Sequence, residues 1–274
     1  MRATTEKLRR SGKTIGFVPT MGALHNGHLE LIRAAGSQND VTVCSIFVNP
    51  TQFNNAEDFR LYPRIEQEDA LKLEAAQCDI LFLPAAETMY PKAAKTNFNF
   101  GELETVMEGA HRPGHFNGVA LIVSKLFHVI QPHKAYFGQK DLQQYAIIKQ
   151  LVTDLNFNLE LVCFPIVREA DGLAMSSRNR RLTEKQREIA PQLYKALQLA
   201  EKMLQENARV SVVKSAVTNY LKQFPEIRLE YFEIADVGTL QTLPEDGLKH
   251  EVALCIAAFL GEIRLIDNLI TQLG

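Results

Sequence analysis

The chain has 274 residues, of which 46% are hydrophobic and 23% are charged, and its formal net charge is −2. This length allows one large domain or two smaller ones, and the composition is typical of a globular protein. The slightly acidic balance argues against a general nucleic-acid coat, which needs excess positive charge, but it leaves room for a local basic pocket.

The first part of the chain alternates segments typical of strands with segments typical of helices. The predicted strands are Thr14–Val18, Val41–Val48, Asp79–Leu83, Lys134–Phe137 and Leu159–Val162. The predicted helices are His28–Ser37, Ile65–Ala76, Gly118–Ile130 and Leu142–Asp154. This alternation predicts an α/β fold in which a Rossmann-like open parallel sheet carries helices on both faces. Because ligands of such sheets bind outside the carboxyl ends of the strands, we expect a site at that edge.

The sequence changes character near Glu169. Thr183 and Gln186 have the spacing of a helix capping box, and Pro191 is expected to kink or split the helix that follows. Apolar residues recur at helical spacing at Ile189, Leu193, Leu197, Ala200 and Leu204. Beyond them we predict a helix over Val210–Phe224, strands over Leu229–Ile234 and Val252–Phe259, and an apolar segment over Ile263–Leu269. We therefore expect a Rossmann-like domain over residues 1–168 and a smaller α+β domain over residues 169–274.

The cysteines and the N-terminal segment indicate the cellular compartment. Cys44, Cys78, Cys163 and Cys255 lie within or beside apolar runs and form no C-x-x-C pair, so we interpret them as small core side chains in a reducing environment. No apolar run approaches the roughly 18 residues that cross a membrane. The segment 1–13 is polar and basic and lacks the apolar centre of a secretory signal. We expect a cytoplasmic protein without a catalytic cysteine.

The run PTMGALHNGH lies between the first predicted strand and the first predicted helix. A helix N-terminus offers unpaired N–H groups and a partial positive charge to phosphate, and glycine lets a ligand approach the backbone. Histidines there can donate to phosphate oxygens. The run therefore suggests a nucleotide site formed by Met21, Gly22, Ala23, Leu24, His25, Asn26, Gly27 and His28. An ordinary Gly-rich turn with two surface histidines fits the motif equally well. It matches neither dinucleotide nor P-loop fingerprints, and it lacks the ligand set of a metal site.

Two further clusters carry groups that suit a nucleotide. After the strand Lys134–Phe137 come Gly138, Gln139, Lys140, Asp141 and Gln144, in which the lysine could meet a phosphate and Asp141 could accept from a ribose hydroxyl or cap the helix. Met175, Ser176, Ser177 and Arg178 form a loop whose hydroxyls and guanidinium suit triphosphate oxygens. Each cluster alone is also consistent with a capped helix or a solvated linker.

Three more sets of polar residues are candidates for substrate or metal contacts. Asn49 and Gln52 flank Pro50, which cannot continue a central strand, so their amides could meet a hydroxyl-bearing substrate or simply cap a turn. In the glycine-rich loop that follows Glu108, Arg112 could bind a carboxylate or phosphate, whereas His115 could as easily cap the next helix. Glu68 and Asp69 could reach Mg²⁺, although exposed helix carboxylates are the plainer interpretation.

Taken in order, PTMGALHNGH, NPTQF, HFNGV, FGQKDLQQ and MSSRN form a set between Thr14 and Asn179. HNGH followed by Met-Ser-Ser-Arg resembles the H-I-G-H and K-M-S-K-S pair of the nucleotidyltransferase superfamily. More specifically, the ordered set resembles the pantoate–β-alanine ligase family, and the likeness continues more loosely through the C-terminal part. The segment before the first strand is shorter than is common in that family, and no motif residue carries a disabling change.

The resemblance implies an ATP- and Mg²⁺-dependent ligase that joins (R)-pantoate to β-alanine through pantoyl adenylate, releasing AMP and pyrophosphate. It implies that the catalytic residues are His25, His28, Lys140 and Arg178. It implies ATP contacts from residues 21–28, from Gly138, Gln139, Lys140 and Asp141, from the backbone at Val167, and from Met175, Ser176, Ser177 and Arg178. It implies substrate contacts from Gln52, Gln144, Asn49, Glu108 and Arg112, with Glu68 or Asp69 nearest Mg²⁺. It also implies a homodimer without nucleic-acid or membrane partners, in which the smaller domain forms a lid over the site.

Two other functions stay open at this point. Another member of the superfamily could transfer adenylate to a phosphorylated small molecule, although NPTQF with Gln144 favours a neutral, polyol-like acid. The chain could also be an inactive nucleotide-binding or scaffold protein, against which the intact His28, Lys140 and Arg178 argue. A tRNA synthetase is not expected, because the chain is short and lacks basic character.

Overall fold

The computed structural model describes residues 1–54, 56–245 and 250–273. The chain divides into two compact units. The larger unit comprises Met1–Gln139 and Gln144–Pro165, and the smaller unit comprises Lys140–Gln143 and Ile166–Gly274. The short segment Lys140–Gln143 thus belongs with the C-terminal part, which the sequence did not suggest. Across the described ranges no helix is both long and apolar enough to span a membrane.

The larger unit is built on a five-stranded parallel sheet of order β3-β2-β1-β4-β5. Its strands are β1 Ile15–Thr20, β2 Val41–Ile46, β3 Ile80–Phe82, β4 Lys134–Gly138 and β5 Glu160–Phe164. All five predicted strands are confirmed, with ends shifted by a few residues. The order reverses direction between β1 and β4, which is the switch point at which open α/β sheets bind ligands.

Helices precede β1 and connect the strands of this sheet. They are α1 Arg2–Arg10, α2 Asn26–Gln38, α3 Ala56–Leu61, α4 Glu66–Ala75, α5 Ala86–Met89, α6 Met107–His111, α7 His115–Ile130 and α8 Leu142–Asp154. Short 3-10 helices occupy Pro50–Gln52, Gly101–Glu104 and Gln139–Asp141. The helix α1 was not predicted because its sequence is highly charged. It is held by tertiary contacts instead, since Thr5 and Arg9 donate to the carbonyl oxygens of Val129 and Gln131 at the end of α7.

The sheet opens at its carboxyl edge between β1 and β4. The strand β1 pairs with β2 from Ile15 through Thr20, but with β4 only at Gly16 and Phe17. Pro19 lacks the N–H that a continued ladder needs. The two strands therefore part before their carboxyl ends, which leaves the loop after β1 and the end of β4 at Gly138 beside an open crevice.

The smaller unit packs helices on a three-stranded antiparallel sheet of order β6-β7-β8. The strands are β6 Ile227–Asp236, β7 Glu251–Leu260 and β8 Ile263–Gln272. The helices are α9 Glu184–Ile189, α10 Gln192–Gln205 and α11 Val210–Leu221, preceded by a 3-10 helix at Ser177–Arg181. The Thr183–Gln186 capping box is confirmed, and Pro191 splits the predicted helix into α9 and α10. The α/β class with a smaller α+β part is therefore confirmed.

Candidate active site

The histidine motif lies where β1 passes into α2. Gly22 has φ +83°, and a Cβ there would come 3.0 Å from Ile46 Cγ2 and 3.1 Å from Asp69 Oδ2, so this turn favours glycine. His25 is the N-cap of the 13-residue helix α2, and Asn26 is exposed at its first position. The positive end of this helix therefore lies in the loop that directly follows the carboxyl end of β1.

The two histidine rings form a pair in which the backbone orients His28. Their ring centroids lie 4.0 Å apart. The backbone N–H of His25 donates to His28 Nδ1 at 3.4 Å, a long hydrogen bond, and the N–H of His28 donates to the carbonyl oxygen of His25 at 2.9 Å. Because Nδ1 accepts, the neutral ring carries its proton on Nε2. The residue itself is half-buried.

Asp69 holds the loop between β1 and α2, and the interpretation of it as an exposed helix carboxylate is wrong. Its side chain is 1% exposed, and its oxygens accept the backbone N–H groups of Ala23 and Leu24, both at 2.7 Å. From the same helix α4, Lys72 Nζ donates to the carbonyl oxygen of Leu24 at 2.8 Å. Asp69 and Lys72 thus hold the N–H and the carbonyl oxygen of Leu24, the residue just before His25. Lys72 was missed because a helix lysine in sequence resembles any solvated cation.

The residues present do not fit a Mg²⁺ ion held by the protein alone. Both carboxylate oxygens of Asp69 are engaged by backbone amides, and Glu68 pairs with Lys72. In the part of the chain that the structure describes, no group of three or more His, Cys, Asp or Glu side chains could hold a metal ion. Asp69, the predicted metal ligand, shapes the loop through these two amides, and its contact with Mg²⁺ stays a prediction.

Asn49 and Gln52 lie at the 3-10 helix Pro50–Gln52 after β2, where both side chains are largely buried. Asn49 Nδ2 donates to Gln52 Oε1 and to the carbonyl oxygen of Gly118, both at 3.1 Å. Its Oδ1 accepts the Tyr90 hydroxyl at 2.8 Å. The amide of Asn49 thus bonds to Gln52, Gly118 and Tyr90, and its predicted contact with substrate stays a prediction. Burial raises the pKa of Tyr90, which keeps this hydroxyl a donor.

Gln52 is the member of this group that has an amide end available for a ligand. Its Oε1 is fixed by Asn49, and its Nε2 donates to the thioether sulfur of Met21 at 2.8 Å. Sulfur is a weak acceptor, so a substrate oxygen is a better partner for that N–H. The backbone oxygen of Gln52 lies 2.8 Å from His115 Nδ1, and Arg112 Nη2 donates to the same oxygen at 3.5 Å.

The loop that precedes α7 brings three predicted residues near Gln52. Arg112 Nη1 lies 3.7 Å from Glu108 Oε2, and Glu108 is buried. His115 is the first residue of α7, with Gly114 as the N-cap, so the expectation that His115 could cap the helix is wrong.

At the end of β4, Gly138 and Gln139 are half-buried, and Gln144 lies half-buried on α8.

The smaller unit holds the other predicted ATP residues. Lys140 Nζ lies 3.7 Å from Asp141 Oδ2, and the Lys140 side chain is 17% exposed. Met175 N–H donates to the carbonyl oxygen of Val167 at 3.0 Å, which closes a tight hairpin before the serines. Ser176 Oγ accepts the N–H of Arg178 at 3.3 Å and so caps the 3-10 helix Ser177–Arg181. The loop is thus a structured turn rather than a solvated linker.

None of the cysteines has the environment of a nucleophile. Cys44 and Cys255 are buried, and Cys78 and Cys163 are half-buried. Burial raises the pKa of Cys78 and that of Cys163 to about 11 in each case. Reactive cysteines need a lowered pKa and access, so these thiols act as core side chains.

The chain is similar to known proteins along nearly all of its length. The family model described as Pantoate-beta-alanine ligase matches residues 1–270. Pantothenate synthetase of Cytophaga hutchinsonii is 51% identical over 96% of this chain and 93% of its own. A pantothenate synthetase crystal structure from Thermus thermophilus is 42% identical with a TM-score of 0.90, covering 97% of this chain and 96% of its own. The pantoate-beta-alanine ligase of Francisella tularensis, in complex with beta-gamma ATP and beta-alanine, is 36% identical with a TM-score of 0.80, covering 98% and 95%.

Proposed function

The chain belongs to the pantoate–β-alanine ligase family, and we propose that it condenses (R)-pantoate with β-alanine to give pantothenate, AMP and pyrophosphate. It is an ATP-dependent enzyme, and the beta-gamma ATP and beta-alanine named in the Francisella tularensis complex support these two substrates. The single observation that carries the residue assignment is the hydrogen bond from the N–H of His25 to His28 Nδ1, which leaves Nε2–H as a fixed donor at a helix N-terminus.

The reaction has two steps that balance without any other reactant. A carboxylate oxygen of pantoate attacks the α-phosphorus of ATP, the bond to the bridging oxygen breaks, and pyrophosphate leaves. The amine of β-alanine then attacks the carbonyl carbon of pantoyl adenylate, AMP leaves, and the amine loses a proton. Charge develops on phosphate oxygens in the first step, so positioned donors and cations are the main catalytic device.

The larger unit supplies donors to ATP at the start of α2. His28 Nε2–H donates to a phosphate oxygen, and His25 lies beside it at the N-cap. The backbone of residues 21–27 approaches the nucleotide, which glycine permits at Gly22 and Gly27. Asp69 and Lys72 hold this loop in place, so little reorganisation accompanies binding.

Pantoate is oriented by two glutamines. Gln52 Nε2 exchanges its contact with Met21 sulfur for a pantoate oxygen, while Asn49 keeps Oε1 in place. Gln144 of α8 contacts pantoate through its amide. Arg112 and Glu108 lie near Gln52 and serve the β-alanine or phosphate end.

The smaller unit supplies the cations. Lys140 and Arg178 stabilise charge on the transferred phosphate, and Ser176 and Ser177 hold phosphate oxygens. Asp141 accepts from a ribose hydroxyl. Gly138, Gln139, Val167 and Met175 flank the nucleoside. The closing of this unit as a lid over bound ATP stays a prediction.

We infer the role of Mg²⁺, the compartment and the oligomeric state from membership of the family. Mg²⁺ enters as part of the Mg-ATP substrate, held by phosphate oxygens and water, as is usual for this ion. We place the enzyme in the cytoplasm as a homodimer.

The deciding experiment is isotope exchange between pyrophosphate and ATP in the presence of pantoate and the absence of β-alanine. An adenylate intermediate predicts exchange that requires pantoate. Absence of exchange from an enzyme that still makes pantothenate would rule out the adenylate. A panel of phosphorylated and unphosphorylated acids, followed by AMP release, separates this function from adenylate transfer to another acceptor.

A further inference from the structure

The strand β8 carries two polar side chains in its buried part that the catalytic assignment does not use. Asp267 is 5% exposed and Asn268 is 3% exposed. Burying a charged or an amide side chain costs free energy unless its polar atoms have hydrogen-bond partners. Sequence reasoning overlooked them because they lie inside an apolar run, although an Asp-Asn pair in such a run is itself unusual.

Asp267 is held by a bidentate ion pair with Arg168. Arg168 Nη1 and Nη2 lie 2.6 Å and 3.0 Å from the two carboxylate oxygens. Arg168 also donates to the carbonyl oxygen of Gly172, and its guanidinium lies 3.7 Å from the ring centroid of Tyr194. Burial raises the pKa of Asp267, and Arg168 opposes that rise. This pair anchors the hairpin that runs directly into Met175.

Asn268 connects this ion pair to the lysine segment. Its N–H donates to Asp267 Oδ1 at 2.8 Å, and its side-chain Nδ2 donates to the carbonyl oxygen of Lys140 at 2.9 Å. All four residues belong to the smaller unit. Two segments that are distant from β8 in sequence are therefore fixed to adjacent residues of that strand. One segment contains Lys140, and the other is the hairpin that begins at Arg168.

We propose that Asn268 is a positioning residue for Lys140, and that Arg168 and Asp267 fix Asn268 in place. The inference rests on the proposed role of Lys140 in ATP activation. A lysine is a point charge on a flexible stem, so the location of its ammonium group depends on where its backbone is anchored. Small displacements of a charged group from the transition state lower the rate strongly.

The test compares Asn268→Ala with Gln186→Ala. Gln186 Nε2 also donates from a side-chain amide to a strand carbonyl, that of Leu260, so it controls for the general loss of such a bond in this unit. We expect N268A to lower kcat of pantoate-dependent exchange by about ten- to hundredfold, since misplacing a catalytic group has that scale. The KM for pantoate and the activity of Q186A should stay near the parent values.

A double-mutant cycle with Lys140→Ala distinguishes the positioning role of Asn268 from the role of Lys140 itself. If Asn268 acts through Lys140, N268A has little further effect in the K140A background. Equal losses in both backgrounds, or equal losses for N268A and Q186A, overturn the positioning role while leaving the proposed function intact. Near-normal exchange by K140A alone instead overturns the role of Lys140. If N268A melts below the assay temperature, Asn268→Ser replaces it, because serine stays polar but is too short to reach Lys140.

Discussion

Asp69 Oδ1 accepts the backbone N–H of Leu24 at 2.7 Å, and this contact joins α4 to the loop that begins the histidine motif. The second carboxylate oxygen accepts Ala23, and Lys72 holds the carbonyl oxygen of Leu24. A buried carboxylate that accepts hydrogen bonds from two backbone N–H groups holds that stretch of backbone in one conformation. The loop before α2, which we propose contacts phosphate, is therefore held in place by the neighbouring helix α4.

Asp69→Asn replaces one of these acceptor oxygens by an amide nitrogen, which donates and cannot accept. We expect a loss of about 1–3 kcal/mol in the free energy of unfolding, because a buried N–H loses its partner. Exchange should also slow, with an unchanged requirement for Mg²⁺. Thermal unfolding without ligands and a Mg²⁺ titration of exchange check both points. Glu74→Gln, at an exposed carboxylate of the same helix, is the control. A raised Mg²⁺ requirement in the Asp69 variant would restore Asp69 as a metal ligand.

His28 offers a test that depends on which ring nitrogen carries the proton. His28→Ala should cut exchange by roughly two or more powers of ten, the scale of losing a transition-state donor. His28→Gln places an N–H near the position of Nε2, whereas His28→Asn places its polar atoms near Nδ1. We expect Gln to retain more exchange than Asn, with all three variants folded by circular dichroism. Greater activity in the Asn variant would mean that Nδ1, not Nε2, faces the nucleotide.

The five strands of the parallel sheet and the helices α2, α4, α7 and α8 could be predicted from the sequence because each has a local pattern of apolar residues. Thr183 with Gln186 and the break at Pro191 are local signals of the same kind. Asn49, Asp69 and Asn268 could not be assigned in this way. Their roles depend on partners that are distant in sequence, such as Gly118, Leu24 and Lys140. A polar residue beside a motif looks like a ligand contact until its hydrogen bonds are known.

Tyr90→Phe tests whether Asn49 positions Gln52. The variant removes the hydroxyl that donates to Asn49 Oδ1, while Thr51 Oγ1 still donates to that atom at 3.1 Å. We expect the KM for pantoate to rise about two- to tenfold, in line with the loss of one hydrogen bond, with little change in kcat. Steady-state kinetics at saturating ATP and β-alanine measure this.

Tyr136→Phe is the matched control for that experiment. Its hydroxyl accepts from Asn39 Nδ2 at 2.8 Å, so it also removes a tyrosine–asparagine bond, but one that does not lead to Gln52. We expect its KM for pantoate to stay at the parent value. Equal KM changes in the two variants would indicate a general effect of lost hydrogen bonds.

Gly118→Ala tests the close approach of α7 to the 3-10 helix Pro50–Gln52. A Cβ at this position would overlap the carbonyl oxygen of Thr51, so the backbone must shift. We expect a lower melting temperature together with a raised KM for pantoate, because the shift moves Gln52. Gly36→Ala in α2 meets only Thr42 Oγ1, at 3.4 Å, and is expected to be neutral or to stabilise by about 0.5–1 kcal/mol. A Gly118 variant with parent-like KM would separate this packing from pantoate binding.

The loop that carries the serines and Arg178 can be followed directly, because the chain contains no tryptophan. Arg180 is exposed in the 3-10 helix Ser177–Arg181, so Arg180→Trp places one fluorophore beside the proposed phosphate contacts. If the loop rearranges over ATP, fluorescence should change saturably when Mg-ATP is added, and further with pantoate, on the microsecond-to-millisecond scale of such motions. Val212→Trp, at an exposed position of α11, should not respond. A silent Arg180 reporter in a variant that binds Mg-ATP by calorimetry would mean that Ser176, Ser177 and Arg178 already hold their ATP-bound conformation before the nucleotide arrives.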